Sequence, residues 1–396
     1  MNTKPQYTAI PPEEAIPLWN QLASINPTNL THAHNPSLFT FYTQYLKLSA
    51  YYFILYAHGQ PIALLPLTSQ RPKANRQPPT ANSQQPTANS QQPTANSQQP
   101  TANSQQPTAN SQQLFSLPHL SYGGIHWLSK PSFNVSEIYC TILEQIKKST
   151  LAPGFYQVHL NKPLRTRPSL AKLNFRSLHQ ELPYTVSNKS TYWLKLHKTE
   201  SEQLAQFTSN LRRKIRAASR KEVTVILGRE ELLSEFIPIY QRNMHRLGSP
   251  ALAKAFFKHM IQACKKEEAT IAIAYFEGKP IGGGLWLSYA GFCENSVFAT
   301  LAKHNHLYTS YALHWAMIQH AQGRGDHTYS FGRSTTNSTV AHYKTQWPVQ
   351  ILPLYHNSTH PIKKNHHTRN LLTLIWKYLP PFLVNTLGPH IAKRIY

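Results

Sequence analysis

The sequence predicts a mixed α/β (α+β) protein built from two related domains, and three observations carry that expectation. At 396 residues the chain exceeds what one hydrophobic core usually organises. Segments with helical apolar spacing alternate along it with short β-rich runs. Two of those runs also match each other. FILYAHGQPIALLPL at 53–67 and IAIAYFEGKPIGGGLWL at 271–287 share an apolar strand, a Gly-centred turn, a polar residue plus Pro, and a second apolar strand.

In the first half, helices are predicted at Pro12–Gln21 and Pro36–Leu48, then hairpin strands at Tyr52–Ala57 and Pro61–Leu67. Residues 79–113 are five perfect copies of PTANSQQ. Each copy contains Pro and none offers the apolar a and d positions of a coiled coil, so a disordered low-complexity insertion is expected over 72–113. A surface loop tolerates such length at little closure entropy. Beyond it come a short strand at Ile125–Leu128, a helix at Val135–Lys148 and a strand at Gln157–Leu160.

The second half opens with a strand at Ser190–Leu196 and one helix over Thr199–Lys221, acidic at its start and basic at its end. A strand at Val223–Leu227 and helices at Glu230–Leu247 and Leu252–Cys264 follow. Next are the hairpin Thr270–Phe276 with Pro280–Ser288, a strand at Glu294–Ala299, a helix at Tyr308–Gln322 and a strand at His327–Phe331. The expected domains are 1–190 and 191–360, followed by a basic amphipathic helical segment at 361–396.

Composition narrows the function classes. Three scattered cysteines give neither a disulfide framework nor a zinc pattern, and the histidines lack matching ligands, so no metal is expected. No signal peptide and no run of 18 apolar residues is present, which predicts a cytoplasmic protein. The formal net charge of +24, from 40 basic and 16 acidic residues, draws phosphate-bearing partners without specifying them. Nucleic acid, an anionic membrane and a nucleotide-linked metabolite stay open, as does a generally basic proteome.

Two segments have the residues for chemistry. Six of the ten positions from Arg212 to Lys221 are basic, and no acid relieves them before Glu222. Like charges at i and i+4, such as Arg212 and Arg216, repel unless an anion meets them. A solvated face is the plain alternative. Arg212, Arg213 and Arg216 are therefore candidates for binding the phosphates of a donor substrate. The second segment, GRGDHTYSFGRSTTNSTVAHYK at 323–344, places Gly332–Arg333–Ser334 at the expected end of an inner strand, where α/β folds bind ligands. Arg333 suits a bidentate bond to phosphate or carboxylate, and Lys344 offers a point charge to phosphate or a developing oxyanion. Tyr343 and Ser334 are candidate proton donors. A tight hydroxyl-rich surface loop would read similarly.

LRRKIRAASR, IYQRNMHRLGSP with FFKHMI, EGKPIGGGL, YSFGRS, HYKTQW and LPLY, in this order, resemble the FemAB-like proteins. These are peptidoglycan-bridge aminoacyltransferase relatives within the GNAT-fold acyltransferases. The resemblance runs to the branch associated with exopolysaccharide and PEP-CTERM systems. GQPIALLPL and LFSLPHLSYGG extend it into the first half. It implies two tandem GNAT-like (acyl-CoA N-acyltransferase-like) domains, the first shaping the acceptor side of a cleft and the second holding the site. Tyr329–Ser334 and Tyr343–Lys344 would face the substrate channel. Ser330 stands where an Asp is usual and Pro348 where a Gly is usual; Glu294 or Asp326 is left as the carboxylate to replace the former, with Asp326 equally readable as a turn residue.

The reaction implied is amide formation from an activated acyl or aminoacyl donor and an amine of a cell-envelope or polysaccharide precursor. The donor is acyl-CoA or aminoacyl-tRNA. TLAKHNHLYTS at 300–310 has no Gly where a pyrophosphate-cradling turn is expected, which favours the latter. The partners expected are a phosphate-bearing or lipid-linked substrate, tRNA, and peripheral contact of the C-terminal segment with the inner face of the cell membrane. A monomer is the starting expectation. A non-enzymatic RNA- or polyanion-binding module on the same fold is the competing reading.

Overall fold

Three two-residue turns set the register of both sheets. At His58–Gly59, Glu277–Gly278 and Ala290–Gly291 both residues have positive φ, the type I′ geometry whose twist matches paired strands. The computed structural model describes residues 7–9, 12–25, 30–70, 112–115, 117–128, 155–159, 184–358 and 366–392. The predicted helix at 135–148 lies outside the described residues, as does most of the repeat insertion.

The first sheet comprises β1 (Tyr7–Ala9), β2 (Ser49–Ala57), β3 (Gln60–Gln70), β4 (Gln112–Phe115), β5 (His126–Trp127) and β6 (Phe155–His159). Its order is β1-β2-β3-β4-β6, with β5 also paired to β3. Helix α1 (Pro12–Ile25) covers it, with Trp19 and Leu22 packed near Tyr52 and Ile54. Strand β4 begins inside the last PTANSQQ copy: Gln113 pairs with Gln70 and Leu114 with Ser69. The final two repeat residues therefore belong to the sheet, where ladder hydrogen bonds compensate their ordering. The predicted helix at 36–48 is a 3-10 turn at Pro36–Leu38 running into a π turn at Phe41–Tyr45. This register buries both Phe41, edge-on to Phe256 at 5.0 Å, and Tyr42, whose hydroxyl donates to the Pro118 carbonyl at 3.0 Å.

The second unit runs β7 (Tyr184–Lys195), α2 (Glu200–Ala205), α3 (Ser209–Arg220), β8 (Thr224–Gly228), α4 (Leu233–Leu247), α5 (Lys254–Ala263), β9 (Ala269–Phe276), β10 (Lys279–Tyr289), β11 (Phe292–Thr300), α6 (Thr309–Gly323), β12 (Thr328–Thr335), α7 (Thr339–Lys344) and β13 (Gln350–Ser358). Helices α8 (His366–Tyr378) and α9 (Pro381–Ala392) follow. The sheet order is β13-β7-β12-β11-β10-β9-β8. Strand β7 starts at Tyr184, ahead of the expected boundary at 190.

The single helix expected over 199–221 is two. Thr208 caps a new start by accepting from the Leu211 amide, and Phe207 is buried at the break. Arg212 closes the end of α2, donating to the carbonyls of Leu204 and Phe207 at 3.2 and 2.7 Å. In the triple glycine of β10, Gly282 lets Thr309 and Leu313 of α6 lie directly on the strand; a Cβ there would meet Thr309 Cγ2 at 2.8 Å. One continuous core joins both halves, with Phe41, Tyr42 and Leu120 packed among Phe236, Phe257 and Phe292.

Candidate active site

Strands β11 and β12 pair in parallel only over Phe292–Glu294 with Thr328–Ser330. Beyond that point they part. Between Ser330 and Arg333 the β12–β7 register shifts, and Gly332 takes φ +72°. Gly332–Arg333–Ser334 therefore forms a bulge within a strand that runs on to Thr335, rather than the strand end expected from sequence. The bulge is a position glycine serves: φ is left-handed and a Cβ would lie 2.9 Å from the Asn295 carbonyl oxygen.

The parting opens a cleft of about 480 Å³. Asn295, Ser296 and Phe298 of β11 line one wall and Phe331–Arg333 of β12 the other. Ser310 and His314 come from α6, Tyr343 and Lys344 from α7, and Asn243, Arg246 and Leu247 from α4. His119 and Ser121 of the first half complete it. Facing backbone edges without ladder partners suit an extended amide- or thioester-bearing ligand.

Lys344 sits at the neck. Ser338 caps α7 by accepting from the Ala341 amide, which directs this short helix back along β12. Lys344 Nζ donates to the carbonyls of Gly332 at 3.0 Å and Arg333 at 3.3 Å, supplying the partner that the divergent strand cannot. Nζ also lies 5.5 Å from the centre of the Tyr192 ring. Burial lowers its pKa to about 7, with Arg333 acting in the same direction and Glu294 against it. A neutral lysine has two N–H groups and one lone pair. With two carbonyls occupying the donors, the lone pair remains to take a proton.

Glu294, fully buried, is in register with Ser330 on the neighbouring strand. Ser330 Oγ donates to Glu294 Oε2 at 3.0 Å and receives the Gly332 amide at 3.1 Å. Tyr122 OH is 2.9 Å from the same Ser330 hydroxyl and 2.5 Å from Thr191 Oγ1. His32 brings Nε2 within 3.7 Å of Glu294 Oε1. Burial raises the Glu294 pKa, while hydroxyls of Ser121, Tyr122 and Ser330 and the Lys344 charge oppose that rise. A carboxylate thus stands beside the Ser330 position on the next strand.

Of the residues singled out from sequence, Arg333, Tyr343 and Lys344 meet in the cleft. Arg333 Nη1 donates to Leu120 O at 3.4 Å, tying β12 to the first half. Tyr343 lies against Tyr311 and His314, and burial holds its hydroxyl protonated well above the usual range. Ser334 is buried one residue beyond the cleft lining. Asp326 lies apart from the cleft, bonded to Arg324 and Ser288 in a separate hollow of about 660 Å³ that Asn20, Lys265 and Glu268 also line.

Arg212 is engaged in capping α2, Arg213 bonds Asn210, and Arg216 is exposed. Lys214 is the basic residue of α3 that turns toward the α6–α7 side, donating to Gln346 Oε1 at 2.7 Å and Tyr311 OH at 3.1 Å. Sequence reasoning missed Lys214 and His314. His314 stacks on Phe298, shares a 2.8 Å hydrogen bond with Tyr329 OH, and is held neutral by burial and by Lys344. Their roles depend on which elements face them, although His314 in an otherwise apolar helix face was a usable signal. Among the described residues no group of three His, Cys, Asp or Glu is placed to hold a metal, and no helix is long and apolar enough to cross a membrane.

The sheet is antiparallel except for β11 and β12, which splay apart around the cleft, and residues 205–345 match the acetyltransferase (GNAT) domain family. Among solved structures the chain is similar to FemX, at 12% identity and TM-score 0.58, over 94% of this chain and 100% of that one. It is also similar to a tandem GNAT protein from the clavulanic acid biosynthesis pathway (7% identity, TM-score 0.49, 91% and 100% covered). L-PGS from Bacillus licheniformis is more distant, at 14% identity and TM-score 0.39, with 67% and 82% covered. No curated protein matches the chain by sequence. At these identities the structural likeness is one of fold, and with FemX it extends over 94% of this chain. The chain thus carries a GNAT domain at residues 205–345 and shares the fold of FemX over most of its length.

Proposed function

We propose that the protein forms an amide by transferring an acyl or aminoacyl group to an amine on a phosphate-bearing cell-envelope or exopolysaccharide precursor. The observation that carries this reading is Lys344, a buried amine with a pKa near 7 at the neck of the cleft. Attack on the donor carbonyl needs a neutral amine and a group to receive the proton it sheds. Neutral Lys344 takes that proton, and its cationic form then stabilises the oxyanion or returns the proton to the leaving group. Arg333 binds an anionic group of the substrate and Tyr343 donates a hydrogen bond. Glu294, through Ser330, positions the bulge.

The 1–190 half shapes the acceptor side, a reading supported by His119 and Ser121 in the cleft lining. Aminoacyl-tRNA is the favoured donor. The segment after β11 coils into a 3-10 turn at Ala302–Leu307, where Thr309 Oγ1 bonds the His304 carbonyl, and it has no glycine. Exposed Arg213 and Arg216 steer phosphates on α3.

Lys344→Gln is the test, assayed for turnover with aminoacyl-tRNA and acyl-CoA donors and for polyanion affinity. Turnover should fall by about 10²–10⁴-fold while polyanion affinity holds. Equal losses in both would make the chain a binding module. Turnover with CoA thioesters alone would replace the donor.

A further inference from the structure

Helices α8 and α9 are mounted on the outside of α4 through small contacts. A Cβ on Gly248, just past α4, would meet the Thr373 carbonyl, and one on Gly388 would meet the backbone of Ala251. Val384, Gly388 and Ala392, spaced four apart, form the buried side of α9. Trp376 lies beside Gly388, while other large apolar side chains face outward. Leu374, Ile375, Tyr378, Phe382 and Leu387 are exposed, Tyr378 at 81% and Phe382 at 68%. On α8 the spacing of Leu374, Ile375 and Tyr378 puts them on the side opposite Thr373.

Such a concentration of exposed large apolar groups on two adjoining short helices calls for a partner. The charge of the segment selects it. Between residues 361 and 396 there are six Lys or Arg and no Asp or Glu. A second copy would bring two such basic segments together, against their mutual repulsion. RNA would engage the charge but leave Leu374, Ile375 and Phe382 in water. An anionic lipid surface takes both: apolar side chains enter the headgroup boundary while lysines and arginines meet the lipid phosphates. At 13 and 12 residues the helices are too short to cross a bilayer and long enough to lie along it.

We propose that the exposed face of α8 and α9 docks the protein on an anionic lipid bilayer. Asn243, Arg246 and Leu247 of α4, the helix that seats this pair, also line the cleft. Docking there brings the cleft close to the headgroup layer. The interface stands whether or not the cleft performs the proposed transfer, because binding is measured without turnover.

The experiment is flotation of the full chain with phosphatidylcholine vesicles, with and without phosphatidylglycerol, at low and high salt. The expected result is binding to the anionic vesicles, weakened by salt and by loss of phosphatidylglycerol. Ile375→Asp combined with Phe382→Asp, both at exposed positions, should reduce binding by about tenfold or more at unchanged thermal stability. Binding that survives this double variant would overturn the proposal, as would absence of binding to anionic vesicles. A concentration-dependent dimer that the same variant disperses would assign the face to a second copy instead. Turnover on a soluble acceptor should be equal in the variant and the parent, which separates failure of docking from failure of the transfer reading.

Discussion

Lys344 Nζ and the carbonyl oxygen of Gly332 lie 3.0 Å apart, joining the end of α7 to the bend in β12. One residue supplies the conformation that parts two strands, and the other satisfies a backbone group left by the parting. Gly332→Ala should therefore damage both. The left-handed backbone costs a side chain about 1–2 kcal/mol, and a Cβ 2.9 Å from Asn295 O must displace β11. Denaturant unfolding should show a loss of at least that size, and turnover should fall with it.

Lys344 makes stability depend on pH. Its pKa is about 7 in the fold and about 10.4 in an unfolded chain. Between those values the unfolded state holds more protons, so stability rises with pH. The full penalty at or below neutral pH is at most about 4–5 kcal/mol. Lys344→Met removes it and also leaves two carbonyls unpaired. Urea unfolding should show the wild type gaining on the variant between neutral and mildly alkaline pH; a pH-independent difference would contradict the buried amine.

The same amine should govern the acid limb of turnover. Activity is expected to rise with pH through about 7 as Lys344 loses its proton. Glu294 holds that pKa up, so Glu294→Gln should move the limb to lower pH while its amide oxygen still accepts from Ser330. A pH–rate profile reads this shift. A merely structural role for Glu294 would reduce rate without moving the limb.

The basic helix should divide into two kinds of arginine. Arg212→Ala removes the cap on α2 and should cost stability by about 1–3 kcal/mol, with little change in polyanion affinity. Arg213→Gln with Arg216→Gln should leave thermal stability nearly unchanged and lower tRNA affinity most at low salt. Thermal unfolding and filter binding distinguish them.

Removal of residues 79–106 takes out four repeat copies and spares Gln112 and Gln113, which belong to β4. Thermal stability and turnover should be retained. Extending the deletion through Gln113 should lower stability, because it removes the Gln70 partner from β3.

Elements governed by local sequence were the legible part. Gly59 and Gly278, each followed by a polar residue and Pro, marked the two hairpins, and both turns have the same backbone geometry. The break at Gln206–Thr208 was not legible, because apolar spacing continues across it and only the Arg212 cap and Thr208 reveal the new start. Arg333, Tyr343 and Lys344, singled out by residue type and order, line one cleft. Asp326 and Glu294 were equivalent on paper. Strand register separated them: Glu294 stands opposite Ser330, whereas Asp326 turns back to Arg324 and Ser288.

By itself the sequence determined most of the alternation of helices and strands, two hairpin turns, the basic character and the succession of motifs. These depend on backbone preference, apolar period and composition, which act within a few residues of each other. Tertiary structure alone decided that β11 and β12 separate after three residue pairs, that Lys344 fills the gap, and that His119 and Ser121 reach the cleft from a distant part of the chain. Those outcomes follow from register and burial between segments that local preference does not link, and the lowered pKa of Lys344 exists only because folding takes its amine out of water.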